Sequence, residues 1–179
     1  NSDSQGINGD ETTPAQFSSS GAAYLFVRNG VTWSQQAFIK ASNARFSDNF
    51  GNSVGLSSDG NTLIVGALGE DSTATGFDGD EADDSRESTG AAYLFDRVGT
   101  TWTQSRYIKA PQVVDLTDRF ARDVDISGDG ASVGCRGSLS PRITTVPSGL
   151  FEGCVALTTV VLPDGVTTIG TRVFAGCTA

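Results

Sequence analysis

The octapeptide Gly21-Ala22-Ala23-Tyr24-Leu25-Phe26-Val27-Arg28 returns as Gly90-Ala91-Ala92-Tyr93-Leu94-Phe95-Asp96-Arg97, 69 residues later. The similarity runs on through Thr32-Trp33-Ser34-Gln35 against Thr101-Trp102-Thr103-Gln104, and Ile39-Lys40-Ala41 against Ile108-Lys109-Ala110. A match this long at a fixed offset is an internal repeat, and it restricts the chain to folds in which one supersecondary unit stacks on the next. Gly6-Ile7-Asn8-Gly9-Asp10-Glu11 aligns in the same way with Gly76-Phe77-Asp78-Gly79-Asp80-Glu81, so the chain is expected to open inside a unit, as a fragment does.

Each unit breaks into four short apolar pieces separated by turns. In the first they are 21–28, 33–40, 50–57 and 62–67. Residues 21–28 are apolar on both alternating sets, which suits a strand covered on both faces. Asn29-Gly30 reads as a two-residue hairpin turn. Its counterpart Val98-Gly99 suits such a turn poorly and predicts a longer loop. Gly51, Gly55 and Gly66 interrupt strand-like runs and predict bulges or close backbone approach. Asp59-Gly60 and Asp129-Gly130 read as turn residues. With 22 Gly and no long apolar run, the chain is expected to be all-β.

Phe50-Gly51 followed by Gly66-Ala67-Leu68 resembles the FG-GAP repeat, with Leu68 where that family has Pro. The flanking Ser57-Ser58-Asp59-Gly60-Asn61-Thr62-Leu63-Ile64-Val65 and Ser20-Gly21-Ala22-Ala23-Tyr24-Leu25-Phe26 resemble its bacterial-type variant. The resemblance implies β-propeller blades over residues 1–130, the first incomplete. The pattern decays at Ala121, which replaces the Gly of Phe-Gly, and at Ala131-Ser132-Val133-Gly134-Cys135-Arg136-Gly137. Residues 131–142 therefore read as a junction. Beyond it, Val146-Pro147-Ser148-Gly149-Leu150-Phe151-Glu152-Gly153-Cys154 recurs as Ile169-Gly170-Thr171-Arg172-Val173-Phe174-Ala175-Gly176-Cys177, 23 residues on. With Leu157-Thr158-Thr159-Val160-Val161-Leu162-Pro163 between them, residues 143–179 resemble truncated BspA-type leucine-rich repeats of microbial surface proteins. The expected fold is a partial β-propeller of about two four-stranded antiparallel blades, followed by a short leucine-rich-repeat solenoid. Open blades and so few repeats predict a marginally stable, aggregation-prone chain.

Composition removes several function classes. A net charge of −9 argues against nucleic acid. Without a single His, no Ser-His or Cys-His machinery and no His-ligated zinc can be built. Cys135, Cys154 and Cys177 have no metal spacing. No stretch is long and apolar enough to insert into a membrane. Trp33, Trp102, Tyr24 and Tyr93 recur at equivalent positions, which favours packing over sugar stacking. Cys154 and Cys177 share a repeat phase, as stacked core residues do.

The charge concentrates between Glu70 and Glu87, where eight carboxylates face only Arg86, a net of −7. Within it Asp78, Asp80, Asp83 and Asp84 are hard oxygen donors of the kind Ca²⁺ takes, and integrin-type FG-GAP repeats carry calcium loops. Their spacing departs from Asp-x-Asx-x-Asx-Gly, and a solvated acidic loop is the alternative. The two resemblances imply a non-catalytic extracellular or cell-surface module that adheres to protein or glycan. Targeting repeats of a secreted enzyme, or a structural spacer, are the alternatives left open.

Overall fold

The computed structural model describes residues 5–9, 18–111, 119–136, 145–146, 167–173 and 175–176. Among them there is no helix. The strands are β1 (Ala23–Asn29), β2 (Thr32–Ile39), β3 (Phe50–Leu56), β4 (Thr62–Ala67), β5 (Ala91–Val98), β6 (Thr101–Ile108), β7 (Asp123–Ile126), β8 (Val133–Arg136), β9 (Thr145–Val146) and β10 (Thr168–Ile169). They form a four-stranded antiparallel sheet in the order β3-β4-β5-β6, flanked by the antiparallel pairs β1-β2 and β7-β8. This is an all-β arrangement of propeller-like blades.

The period of the repeat is as expected, but its phase is not. The four pieces of one unit split between two sheets: β1 and β2 pair with each other, while β3 and β4 join β5 and β6. Periodicity gives the length of a unit and leaves its starting point open. Backbone hydrogen bonding supplies that point. The long acidic connection after β4 returns the chain to β4's own edge, where Leu63 opposes Phe95 and Val65 opposes Tyr93. The shorter β2–β3 connection instead carries the chain to the next sheet.

Two apolar clusters hold the sheets together. Ala23, Ala37 and Ile39 of the β1-β2 pair pack with Leu63, Val65, Tyr93, Phe95, Trp102 and Tyr107 of the central blade. On its other face Ile64, Ala92 and Ile108 meet Val124 and Ile126 of β7 and Ala121 just before it. The even and odd positions of β4 and β5 thus serve different neighbours, which is why both alternating sets had to be apolar. Phe50 sits edge-on to both Tyr93 and Phe95, with centroids 5.4 Å and 6.1 Å apart.

β8 lies within 131–142, the stretch read as a junction. Its ladder places Val133 opposite Ile126 and Cys135 opposite Val124. Val133 and Cys135 pack, partly buried, against the second cluster, so the strand's apolar signal was thin. The loop after β5 is also not longer than its counterpart. Asn29 pairs with Thr32 and Val98 with Thr101, leaving Gly30-Val31 and Gly99-Thr100 as two-residue loops. Gly30 has φ 61° and Gly99 φ 64°, and one glycine at the first loop position is what a II′ turn requires.

The interrupting glycines mark bulges and close approaches. The β3-β4 register slips between Phe50 and Ser53. A Cβ on Gly51, which has φ 89°, would lie 2.5 Å from the Ala22 carbonyl oxygen, and one on Gly66 would lie 2.2 Å from that of Ala121. Most of residues 143–179, including Cys154 and Cys177, lies outside the described residues. Within it, β9 and β10 pair in parallel, Thr168 with Thr145 and Ile169 with Val146.

Candidate functional site: the acidic loop

The connection from β4 to β5 is tied down at its start, middle and end. At its start the Gly69 N–H donates to the Asp48 carbonyl (3.0 Å). Gly76 and Asp78 then dock on the edge of β6: Lys109 N–H donates to the Gly76 carbonyl (2.8 Å), Asp78 N–H to the Tyr107 carbonyl (2.8 Å), and Tyr107 N–H to Asp78 Oδ1 (3.0 Å). Asn8 makes the same contacts with Phe38 of β2, so the aligned N-terminal segment docks in the same way on the preceding sheet. At the end, Asp71 Oδ1 accepts from Ser88 N–H (2.6 Å).

Beneath the loop lies a buried polar network that motif reading missed. Lys109 Nζ contacts Glu70 Oε2 at 2.5 Å, and both side chains are almost fully buried. Tyr107 Oη donates to Glu70 Oε1 (2.6 Å), Lys109 Nζ also reaches Thr89 Oγ1 (2.7 Å), and Ser72 N–H donates to Glu70 Oε2 (3.2 Å). Asn43 Nδ2 bridges Glu70 Oε1 (3.3 Å) and the Glu81 carbonyl (2.7 Å), while its Oδ1 accepts from Tyr93 Oη (2.7 Å). The network joins the loop to β5, to β6 and the residue after it, and to the β2–β3 connection. A sequence signal for it existed: a Lys recurs at 40 and 109 inside otherwise apolar runs. Lys40 likewise reaches Ser20 Oγ (2.7 Å) and the Gly21 carbonyl (2.9 Å).

Burial sets the electrostatics. Asp48 is nearly inaccessible and receives the Arg45 N–H at 2.6 Å. Desolvation pushes its carboxyl up to about 7, with Glu70, Asp71 and Asp84 adding to the rise. Asp71 is raised by the same cause. Lys109 is held below the ordinary lysine value by burial, although Glu70 pulls it upward. Asp83 is the opposite case, held well below the carboxylate range by hydrogen bonds from Thr73 and Ser85.

The four carboxylates singled out for Ca²⁺ do not converge. Asp78 is engaged by Tyr107 N–H and lies 3.6 Å from Arg106 Nε. Asp80 Oδ1 accepts from Ala82 N–H (2.9 Å). Asp83 accepts from the N–H and hydroxyl of Thr73 (2.7 and 2.5 Å) and from Ser85 N–H (3.1 Å). Asp84 pairs with Arg45 Nη1 at 3.3 Å. Only Asp80 and Asp83 line the open hollow of about 480 Å³ between Thr73–Thr75 and Gly79–Asp83. Among the described residues no group of three or more His, Cys, Asp or Glu is placed to hold a metal ion. Each of these carboxylates closes a turn, docks the loop on β6 or sits in an ion pair.

Asp59 and Asp129 fold their turns as expected. Each accepts from the serine hydroxyl two residues before it and the N–H two residues after it. The aromatic positions divide: Tyr93 and Trp102 are buried, whereas Tyr24 and Trp33 are exposed. No helix among the described residues is long and apolar enough to cross a membrane.

Residues 33–95 match the FG-GAP repeat. The match starts at Trp33 in β2 and ends at Phe95 in β5, so it straddles two sheets and contains the whole acidic loop. No curated protein and no solved structure matches the chain.

Proposed function

We propose that the chain is a non-catalytic binding module of an extracellular or cell-surface protein, displaying the loop after β4 to a protein or glycan partner. The observation that carries this reading is the loop itself. It is ordered by a buried network, yet it exposes Asp78, Asp80 and Asp84 at the edge of a blade whose sequence matches the FG-GAP repeat. A rigid scaffold holding a charged loop outward is how binding surfaces are commonly built. The same acidity selects a basic or polyhydroxylated partner and disfavours phosphate backbones.

Residues 143–179 fit the same setting as leucine-rich repeats. The parallel pairing of Thr145 with Thr168, one 23-residue period apart, supports that reading, because stacked solenoid repeats pair equivalent residues in parallel. Screening the chain on glycan and extracellular-protein arrays tests the proposal. Specific binding that falls when Asp80 and Asp84 are both replaced by Asn is expected. A bound partner unaffected by these replacements would move the site elsewhere, and turnover of a substrate would overturn the non-catalytic reading.

A further inference from the structure

The buried network beneath the acidic loop holds the parts of an acyl transfer. Lys109 Nζ lies 2.5 Å from Glu70 Oε2, and both side chains are almost fully buried. The other oxygen of the same carboxylate, Oε1, accepts from Asn43 Nδ2 at 3.3 Å. An amine and a carboxamide therefore share one carboxylate, each on its own oxygen. The carboxamide oxygen, Asn43 Oδ1, in turn accepts from the Tyr93 hydroxyl at 2.7 Å.

Each contact has a chemical counterpart. An amine is a nucleophile only when neutral, so its acylation needs a base beside it. Glu70 is in place to take the proton, and burial already holds Lys109 below the ordinary lysine value. Tyr93 is fully buried, and burial holds its hydroxyl well above the ordinary tyrosine value. It therefore stays protonated and donates to the oxygen on which charge gathers during attack. Asn43 is only half-buried, which leaves departing ammonia a way to solvent. An ion pair held in the interior is costly, and an amide in its place carries no charge. Asn43 is a better electrophile here than Glu70, whose ionised carboxylate repels a nucleophile and serves as the base.

We propose that the side chains of Lys109 and Asn43 join in an isopeptide bond, which the chain forms by itself with Glu70 as proton carrier. Glu70 takes one proton from the Lys109 ammonium, and the free amine attacks Asn43 Cγ. In the tetrahedral intermediate Glu70 gives that proton to Nδ2 and takes a second one from Nζ. The new Nζ–Cγ bond stays, the Cγ–Nδ2 bond breaks, ammonia leaves, and Glu70 ends protonated. No oxidant or second substrate enters, and each chain reacts once, with no turnover. The structure shows the side chains before the bond forms. β3, β4, the acidic loop, β5 and β6 all lie between Asn43 and Lys109. One covalent link therefore closes the whole central blade and fixes the loop at its base. Variants of Glu70 or Lys109 lack the link altogether, so their losses overlap instead of adding.

Intact-mass spectrometry of the whole folded chain tests this. A species lighter by one ammonia is expected, and its digest should contain a branched peptide joining Asn43 to Lys109. Glu70→Gln, which cannot take the proton, and Asn43→Ala, which removes the electrophile, are both expected to keep their full mass. Should Glu70→Gln fail to fold, Asn43→Ala at its half-buried position gives the same readout. A folded wild-type chain that keeps its full mass after days of incubation overturns the bond. Loss of ammonia without a branched peptide also overturns it, as the mark of a succinimide at Asn8-Gly9 or Asn29-Gly30. So does a link from Lys109 to Glu70 with loss of water, or a mass loss that persists in Asn43→Ala.

Discussion

Tyr24 and Tyr93 occupy the same position of successive repeats, yet Tyr93 is fully buried while half of Tyr24 faces solvent. The difference lies in what stands in front of each. Tyr93 packs at 5.3 Å from the Tyr107 ring and 5.4 Å from Phe50, whereas among the described aromatic rings Tyr24 meets only Phe38, at 5.2 Å. Identical residues should therefore respond differently to truncation. Tyr93→Ala is expected to cost about 3–5 kcal/mol, in line with removal of a buried aromatic ring, and Tyr24→Ala under about 1 kcal/mol. Urea unfolding of both variants at a concentration where the chain is monomeric checks this. Equal losses would mean that Tyr24 is covered in solution.

The Glu70–Lys109 pair should behave as a unit. Both side chains are buried, and Glu70 also takes the Tyr107 hydroxyl and the Ser72 N–H. Removing one partner leaves a charge in the interior, at a cost of about 3–5 kcal/mol. Glu70→Ala and Lys109→Met are each expected to fall in that range. The double variant should lose much less than the sum, since it leaves no lone charge. Chemical denaturation of the three variants decides it, and additive losses would show that the two residues act separately.

Asp48 should make the protein more stable in mild acid than at neutrality. Its carboxyl is pushed up to about 7 by burial, from an ordinary value of 3.8. Between those values the folded chain binds more protons than the unfolded one, so stability falls as pH rises and levels off above about 7. A shift of this size corresponds to something on the order of 4 kcal/mol. Asp71 is raised too and slopes the same way. Asp59, held at about 2, acts in the opposite sense, and its contribution is lost only as pH falls below about 4. Melting temperature should thus peak near pH 4 to 5, and Asp48→Asn should flatten the slope between pH 5 and 7.5. A slope unchanged in that variant would rule Asp48 out as its source.

The sequence made the strands legible because apolar runs, turn residues and the 69-residue offset all agreed on them. Blade phase was not legible, because the choice between pairing β4 with β5 and grouping β1 with β3 rests on backbone hydrogen bonds that leave no side-chain signature. β8 was obscured for a related reason: a short strand with one covered face needs only Val133 and Cys135 to be apolar. At the loop, the acidic composition was plain, but the turns and ion pairs that its aspartates make were not. The most constrained polar residues were Glu70, Lys109, Asn43 and Asp48, which burial makes important and composition does not distinguish.

Gly90 and Gly99 separate two costs that glycine substitution usually mixes. Both have left-handed backbone, φ 79° and 64°. A Cβ on Gly99 would meet nothing within 4 Å, whereas one on Gly90 would fall 2.1 Å from the Phe120 carbonyl oxygen. That oxygen belongs to the strand entry of the next sheet, where Phe120 N–H is held by the Thr89 carbonyl at 2.9 Å, so backbone would have to move. Gly99→Ala should cost about 1–2 kcal/mol, the left-handed penalty alone. Gly90→Ala should cost that and the displacement of β7 from the central blade, more than about 3 kcal/mol in total. Amide hydrogen exchange would locate the extra loss. Faster exchange at Val124 and Ile126 in Gly90→Ala, absent in Gly99→Ala, is the expected pattern, and equal exchange in the two variants would mean that the sheets are not coupled through Gly90.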